Sequence, residues 1–229
     1  MRTLLASIVA FGLLAGVAAA QEAGRITVVG TGQVETMPDM ATITFGVRTQ
    51  AEQAGDALAA NSTAIADVIA ILSKSGMASK DVQTSGLSLS PMWSDLIVSQ
   101  NERPEISGYM VSNQVTVRVR DLSTLGDVVA TVVENGANEF YGLQFGVQEP
   151  GALQDQARAE AVKDARRKAE IYANAAGVKL GHLVELTENG GRGSAPIAFR
   201  EMAMADSMPI AQGEVALGAN VTLVFAVTE

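Results

Sequence analysis

ALQDQARAEAVKDARRKAEIYANAAGVKLG, residues 152 to 181, is the stretch on which the fold turns. Leu153, Ala157, Ala161, Ala165, Ala169, Tyr172 and Ala176 recur three or four residues apart, which lines them along one side of a helix. Most of that side is alanine, so the helix is expected to lie very close to whatever it covers. The other side carries Arg158, Glu160, Lys163, Asp164, Arg167, Lys168 and Glu170. Asp164 precedes Lys168 by four, the order that suits the helix dipole and contributes roughly 0.2–0.5 kcal/mol. Gly177 ends the helix, with Val178 placed for the hydrophobic contact of a Schellman cap. Neither face arranges groups for chemistry. The element reads as scaffold.

Upstream of this helix the apolar period alternates between that of a strand and that of a helix. Arg25 to Gly30 predicts a short strand, and GTGQVETMPD a turn-rich connection. Ala41, Ile43, Phe45 and Val47 alternate with Thr42, Thr44, Gly46 and Arg48, which predicts a strand with one buried face. Residues 52–75 turn helical, with Ala54, Ala57, Leu58, Ile65, Val68, Ile69 and Leu72 as the stripe, Asn61 on the same side, and Gly76-Met77 as the cap. In DVQTSGLSLSP, Val82 and Thr84 share one parity and Leu87 and Leu89 the other, so a bulge is expected near Ser85-Gly86. Trp93 to Glu105 reads as an exposed loop. Tyr109, Val111, Val115, Val117 and Val119 form the next half-buried strand. Ser123 is placed to cap a helix of Leu125, Val128, Val129, Val132 and Val133 that stops at Gly136. Tyr141, Leu143, Phe145 and Val147 predict a further strand.

Downstream, His182 to Thr187 predicts a strand and Glu188 to Ala211 a Gly-, Met- and Pro-bearing loop. Val215, Leu217, Val221, Leu223, Phe225 and Val227 form the longest strand, a length that marks it as central. The order strand, helix, strand, strand, helix, strand from Ala41 to Gln148 predicts an α+β fold. It is a ferredoxin-like split βαβ sandwich (βαββαβ), extended by the long C-terminal helix and two strands into an antiparallel-rich sheet.

The N-terminus predicts export. Arg2 is a short positive region, Leu4 to Val17 an apolar one, and Val17 to Ala20 supply small residues before Gln21. Residues 1–20 therefore read as a cleavable signal peptide and 21–229 as one domain. The apolar run is too short to span a bilayer, and no later segment is expected to be long and apolar enough to cross one as a helix. Without cysteine the chain has neither a lipid anchor at the cleavage point nor disulfides. Its stability must come from a core. A net charge of −9 argues against nucleic acid or an anionic membrane as partner.

Several segments together resemble the SIMPL-domain family, whose bacterial members include secreted periplasmic immunogenic proteins. They are ITVVGTGQVETMPDMATITFGV, DVQTSGLSLSP, GYMVSNQVTVRVRDL, NGANEFYGLQF, AVKDARRKAEIYANAAGVKLG and PIAQGEVALGANVTLVF. They run in the family's order over nearly the whole mature chain. Trp93 departs from it, where many members have a smaller aromatic, and the loop from Ser94 to Pro104 is individual. The resemblance implies an exported, mixed α/β, often oligomeric protein linked to stress tolerance. It brings no catalytic residue and no cofactor.

The candidate sites are weak. Gly30-Thr-Gly32 follows a strand, but a phosphate cradle needs a helix N-terminus directly after it, and a Pro-Asp turn and another strand follow instead. Glu188 to Ser194 is glycine-rich and reads as loop. His182 is the only histidine, and no nucleophile motif stands near it. Met202, Met204 and Met208 offer soft thioethers for Cu(I), or sites for oxidant to form sulfoxides, although methionine more often serves as adaptable packing. Arg166, Arg167 and Lys168 could meet acidic surface on another copy, and long strands with apolar edges invite self-association.

The expectation is a non-enzymatic homo-oligomer of the periplasm, peripheral to the outer membrane. Its role is structural, or protective against oxidative stress, with no cofactor and no metal beyond that Cu(I) candidate. The alternative is a binding module that holds a small ligand, Cu(I) or a protein client through the sheet and the Met-rich loop.

Overall fold

The computed structural model describes residues 24–94, 104–190 and 210–228. The elements run β1 (Arg25–Thr36), β2 (Met40–Ala51), α1 (Ala54–Lys74), β3 (Val82–Trp93), β4 (Ile106–Val119), α2 (Leu125–Glu134), β5 (Glu139–Gly146), α3 (Gly151–Ala176), β6 (Lys179–Asn189) and β7 (Val215–Thr228). They build two antiparallel sheets, ordered β3-β4-β2-β5 and β1-β7-β6. The first is the expected split βαβ sheet, with β4 inserted between β2 and β3. The bulge expected near Ser85-Gly86 is there, as a register shift between Thr84 and Gly86.

Alternation explains the first core. Ile43, Phe45 and Val47 of β2 and Val115, Val117 and Val119 of β4 face Ile65, Val68 and Leu72 of α1 and Leu125, Val129 and Val132 of α2. Val133, one step further round the ten-residue α2, is exposed instead of buried. The cap at that end of the chain also differs from expectation. Asp121, not Ser123, supplies the oxygen: its Oδ1 accepts from the Ser123 N–H at 3.0 Å and from Ser123 Oγ at 2.6 Å, ahead of the short turn Leu122–Thr124. On α1, Gly76 takes φ +87° and the Met77 N–H reaches Leu72 O at 3.0 Å, as the sequence predicts.

One expectation about α1 is corrected. By length and composition its 21 residues are apolar enough to cross a bilayer. Its apolarity is amphipathic rather than uniform, with Ala57, Asn61, Ile65, Val68 and Leu72 buried against the sheet. Asn61 is fully buried and donates from Nδ2 to Val47 O at 2.7 Å, fastening the helix to β2.

The second sheet corrects the reading of the N-terminus. The segment expected to turn after Gly30 continues as strand to Thr36, because β7 pairs with it without a break from Arg25↔Ala226 to Thr36↔Val215. The glycines serve another purpose. A β-carbon on Gly30 would stand 2.0 Å from Ala161 O, and one on Gly32 2.0 Å from Ala157 O. The α3 backbone thus rests on β1, the close approach that the alanine side foretold.

The buried positions of α3 are Ala157, Ala161, Ala165, Ala169 and Ala173. Tyr172 is 57% exposed and Ala176 is exposed, so neither belongs to the stripe. Strict spacing by four advances about 40° per step on a helix of 3.6 residues per turn. The stripe therefore winds, as the twisted sheet beneath it does. Gly177 (φ +71°) ends the helix, and the Val178 N–H reaches Ala173 O at 3.0 Å.

The two sheets share no strand and are joined by the connections before β2 and after β5. There Gln148 is a clasp. Its N–H donates to Asp39 Oδ1 at 2.7 Å and its Nε2 to Asp39 O at 2.9 Å and Arg120 O at 3.2 Å. Arg120 in turn holds the buried Asp81 through two bonds of 2.8 and 2.7 Å. That pairing keeps the Asp81 carboxyl below the usual carboxylate range against the cost of its burial.

Candidate functional site on the open face of the four-stranded sheet

The face of the four-stranded sheet turned away from α1 and α2 is polar. Register places Thr42, Thr44, Gly46 and Arg48 of β2 beside Arg118, Thr116, Gln114 and Ser112 of β4. The sequence pattern marks both rows as outward-facing, yet it does not show what β5 adds to them. Between Thr44 and Phe45 the β2–β5 register shifts, and Gly142 opposite takes φ +152°. The bulge moves Tyr141 off the parity it was expected to share with Leu143 and Phe145. Those two stay packed on the core, whereas Tyr141 joins the open face. A lone glycine inside a strand pattern was the available signal.

Glu139 is the hub of this face. It accepts from Ser112 Oγ at 2.6 Å and Tyr141 Oη at 2.8 Å, and it forms an ion pair with Arg48. Burial pushes the Glu139 carboxyl up, but the Ser112 and Tyr141 hydroxyls and Arg48 together outweigh it and hold the group below its ordinary value. Arg48 is positioned through its backbone: its N–H donates to Asn138 Oδ1 at 2.7 Å, and Asn138 Nδ2 donates to its carbonyl at 2.9 Å. Tyr141 is positioned by Gly46, whose missing β-carbon would stand 3.0 Å from the ring's Cε2. A row of hydroxyls, Thr44, Thr116 and Ser85, continues across three strands at 3.2 and 3.1 Å.

The Glu139 carboxylate is committed to this network. A general base needs a pKa near the working pH and a free lone pair aimed at substrate. Glu139 instead stays ionised with three partners on it. Among the described residues no group of three or more His, Asp or Glu stands together as a metal site.

The residues singled out from sequence lie elsewhere. Gly30 and Gly32 sit under α3, which gives their spacing a packing cause. Glu188 lies in β6 and pairs with Arg158 at 2.9 Å, and His182 is exposed on the same strand. Arg166, Arg167 and Lys168 each already hold a carboxylate of their own helix: Glu170 for the first and Asp164 for the other two. Met202, Met204 and Met208, the rest of the glycine-rich loop from residue 191 on, and the leader 1–20 lie outside the described residues.

A model of the SIMPL family, described as a protein of unknown function (DUF541), matches residues 26–225. The chain belongs to the SIMPL family. It is 37% identical over 211 residues to the 26 kDa periplasmic immunogenic protein of Brucella melitensis, across 89% of this chain and 84% of that one. Two other relatives are called uncharacterized protein YggE. The one from Edwardsiella ictaluri is 29% identical over 172 residues (74% of this chain, 71% of that one). The one from Escherichia coli K12 is 27% identical over 190 residues (83% and 75%). The Brucella name gives a location and immunogenicity, and the YggE names nothing further. None of them names an enzyme.

Proposed function

We propose that the protein is an exported, non-catalytic SIMPL protein of the periplasm that assembles with copies of itself and protects the cell envelope against oxidative stress. Residues 1–20 act as its removable leader, and the mature chain sits peripheral to the outer membrane. The periplasmic placement rests on the name of the Brucella relative and on the leader-like N-terminus.

The observation that carries self-assembly is the contrast between strand edges. The outer edge of β1 is guarded: Thr31 N–H donates to Asp164 Oδ2 at 3.0 Å, and Lys168 Nζ donates to Val29 O at 2.9 Å. Those are the backbone groups an incoming strand would pair with. The β6 edge instead presents Leu183, Val184 and Leu186, and the β3 edge Leu87, Leu89 and Trp93, all 44–60% exposed. Apolar side chains on an exposed edge favour burial against another chain.

Light scattering on residues 21–229 across a range of concentrations tests this. The expected result is an assembly of several chains whose mass holds on dilution, and which Leu183→Lys with Leu186→Lys or Leu87→Lys with Leu89→Lys breaks down. A monomer at every concentration overturns it. For the protective role, a strain lacking the chain is expected to lose viability in peroxide and to regain it on complementation; equal survival overturns that part.

A further inference from the structure

Tyr141 is held unusually firmly for an aromatic side chain that is 47% exposed. Its ring lies over Gly46. Its hydroxyl is fixed at one end by Glu139 Oε2 at 2.8 Å and Ser112 Oγ at 3.2 Å. Around it stand the guanidinium of Arg48, the amide of Gln114 and the hydroxyl row of Thr44, Thr116 and Ser85, all on the same face. None of these contacts is needed for the core, which lies on the other side of the sheet.

We propose that this face binds a neutral saccharide, with one pyranose ring of a glycan chain seated on Tyr141 and its hydroxyls met by Arg48, Gln114 and the threonine and serine hydroxyls beside it. The axial C–H groups of a pyranose carry slight positive charge and suit the electron-rich face of an aromatic ring. The hydroxyls at its rim need donors and acceptors in fixed places, which these side chains supply directly or through water. Because the ring and Arg48 are already ordered, little conformational freedom is lost when the ligand settles.

The same features argue against other ligands. Beside Tyr141, Arg48 and Glu139 offset each other's charge, and the chain as a whole carries −9, which disfavours a phosphate or nucleic acid there. An acyl chain would leave the surrounding amide and hydroxyl groups without partners. An amphipathic helix needs a run of apolar anchors, and Tyr141 is a single one. This inference stands apart from the self-assembly reading, because it uses neither the β6 nor the β3 edge.

The test is a titration of residues 21–229, isotopically labelled for nuclear magnetic resonance, with chitotetraose and separately with maltotetraose into the millimolar range. The first probe represents amino-sugar wall glycan and the second a plain hexose polymer. Saturable shifts confined to Gly46, Arg48, Ser112, Gln114 and Tyr141 are expected with at least one of them. Tyr141→Ala is expected to weaken binding about tenfold, and Tyr141→Phe, which keeps the ring and frees its end, by less. Tyr172→Ala, an exposed aromatic on α3, is expected to change nothing. If Tyr141→Ala does not fold, Gln114→Ala takes its place, with a several-fold loss expected. No saturable shift with either sugar, or binding that survives both Tyr141→Ala and Gln114→Ala, overturns the proposal.

Discussion

At Gly30 and Gly32 two backbones meet with no side chain between them, and that decides what either position tolerates. Gly30→Ala would drive a methyl into the Ala161 carbonyl, and a loss of about 2–3 kcal/mol is expected in urea unfolding. Gly55, in the first turn of α1, has nothing within 4 Å of its missing β-carbon. Gly55→Ala is expected to gain about 0.5–1 kcal/mol by the same measurement, because there only helix propensity changes. The pair of variants separates close approach from glycine's cost in a helix. Charge adds a second signature at this scale. Asp164 is held below the usual carboxylate range by Lys168 first, then by the Thr31 N–H and Arg167. Asp81 and Glu139 are lowered too. A group whose folded pKa is depressed stabilises the fold above its unfolded pKa and loses that contribution as pH falls through the folded value. With unfolded values of about 3.9 for Asp and 4.3 for Glu, melting temperature should be flat from neutral pH down to about 5 and fall steeply below about 4. In Asp164→Asn that acid slope should flatten. An unchanged slope would remove Asp164 from the account.

Among the elements, the ending of α3 is the simplest to test. Gly177 sits in the left-handed region with open space around it, so Gly177→Ala is expected to cost about 1 kcal/mol through backbone strain alone, measured by thermal unfolding. The elements whose neighbours lie on both sides in sequence were readable from their own residues: Ala41 to Val47, the α1 stripe except for Leu58, which is exposed, and the Ser85-Gly86 bulge stand where period and parity put them. β1 was not, because its length is set by a partner at the far end of the chain. Local turn chemistry in GTGQVETMPD is overridden by an unbroken ladder with β7. The α3 stripe was legible as alanine but was misplaced at Tyr172, since the helix follows the twist of the sheet and not a fixed line. The open face shows the same limit. Both of its central strands were read correctly, yet Glu139, Ser112, Arg48 and Tyr141 meet only through the pairing of β2 with both β4 and β5, and no spacing in the sequence records that.

For the whole molecule, the connections that lead from one sheet to the other are fastened to the four-stranded unit at Gln148, Asp39 and Arg120. Arg120→Ala would leave Asp81, whose side chain is 5% exposed, without its cation and is expected to lower the melting temperature. Calorimetry is expected to show one unfolding transition for the parent and two for the variant, as each sheet has its own core. One broadened but undivided transition would mean that the helices and strands cooperate by another route. The pairing of β1 with β7 also has a consequence in time. In the export proposed above, the chain would deliver β1 first and β7 last, with the entire four-stranded unit emerging between them. That unit can close on arrival, because its strands and helices are neighbours in the chain. β1 must wait as a bare strand with its glycines uncovered, until α3 arrives to lie on it and the final residues pull it into register. The youngest-made strand thus completes the oldest, and a chain cut short anywhere before Val215 would display its first strand to every protease and holding chaperone it met.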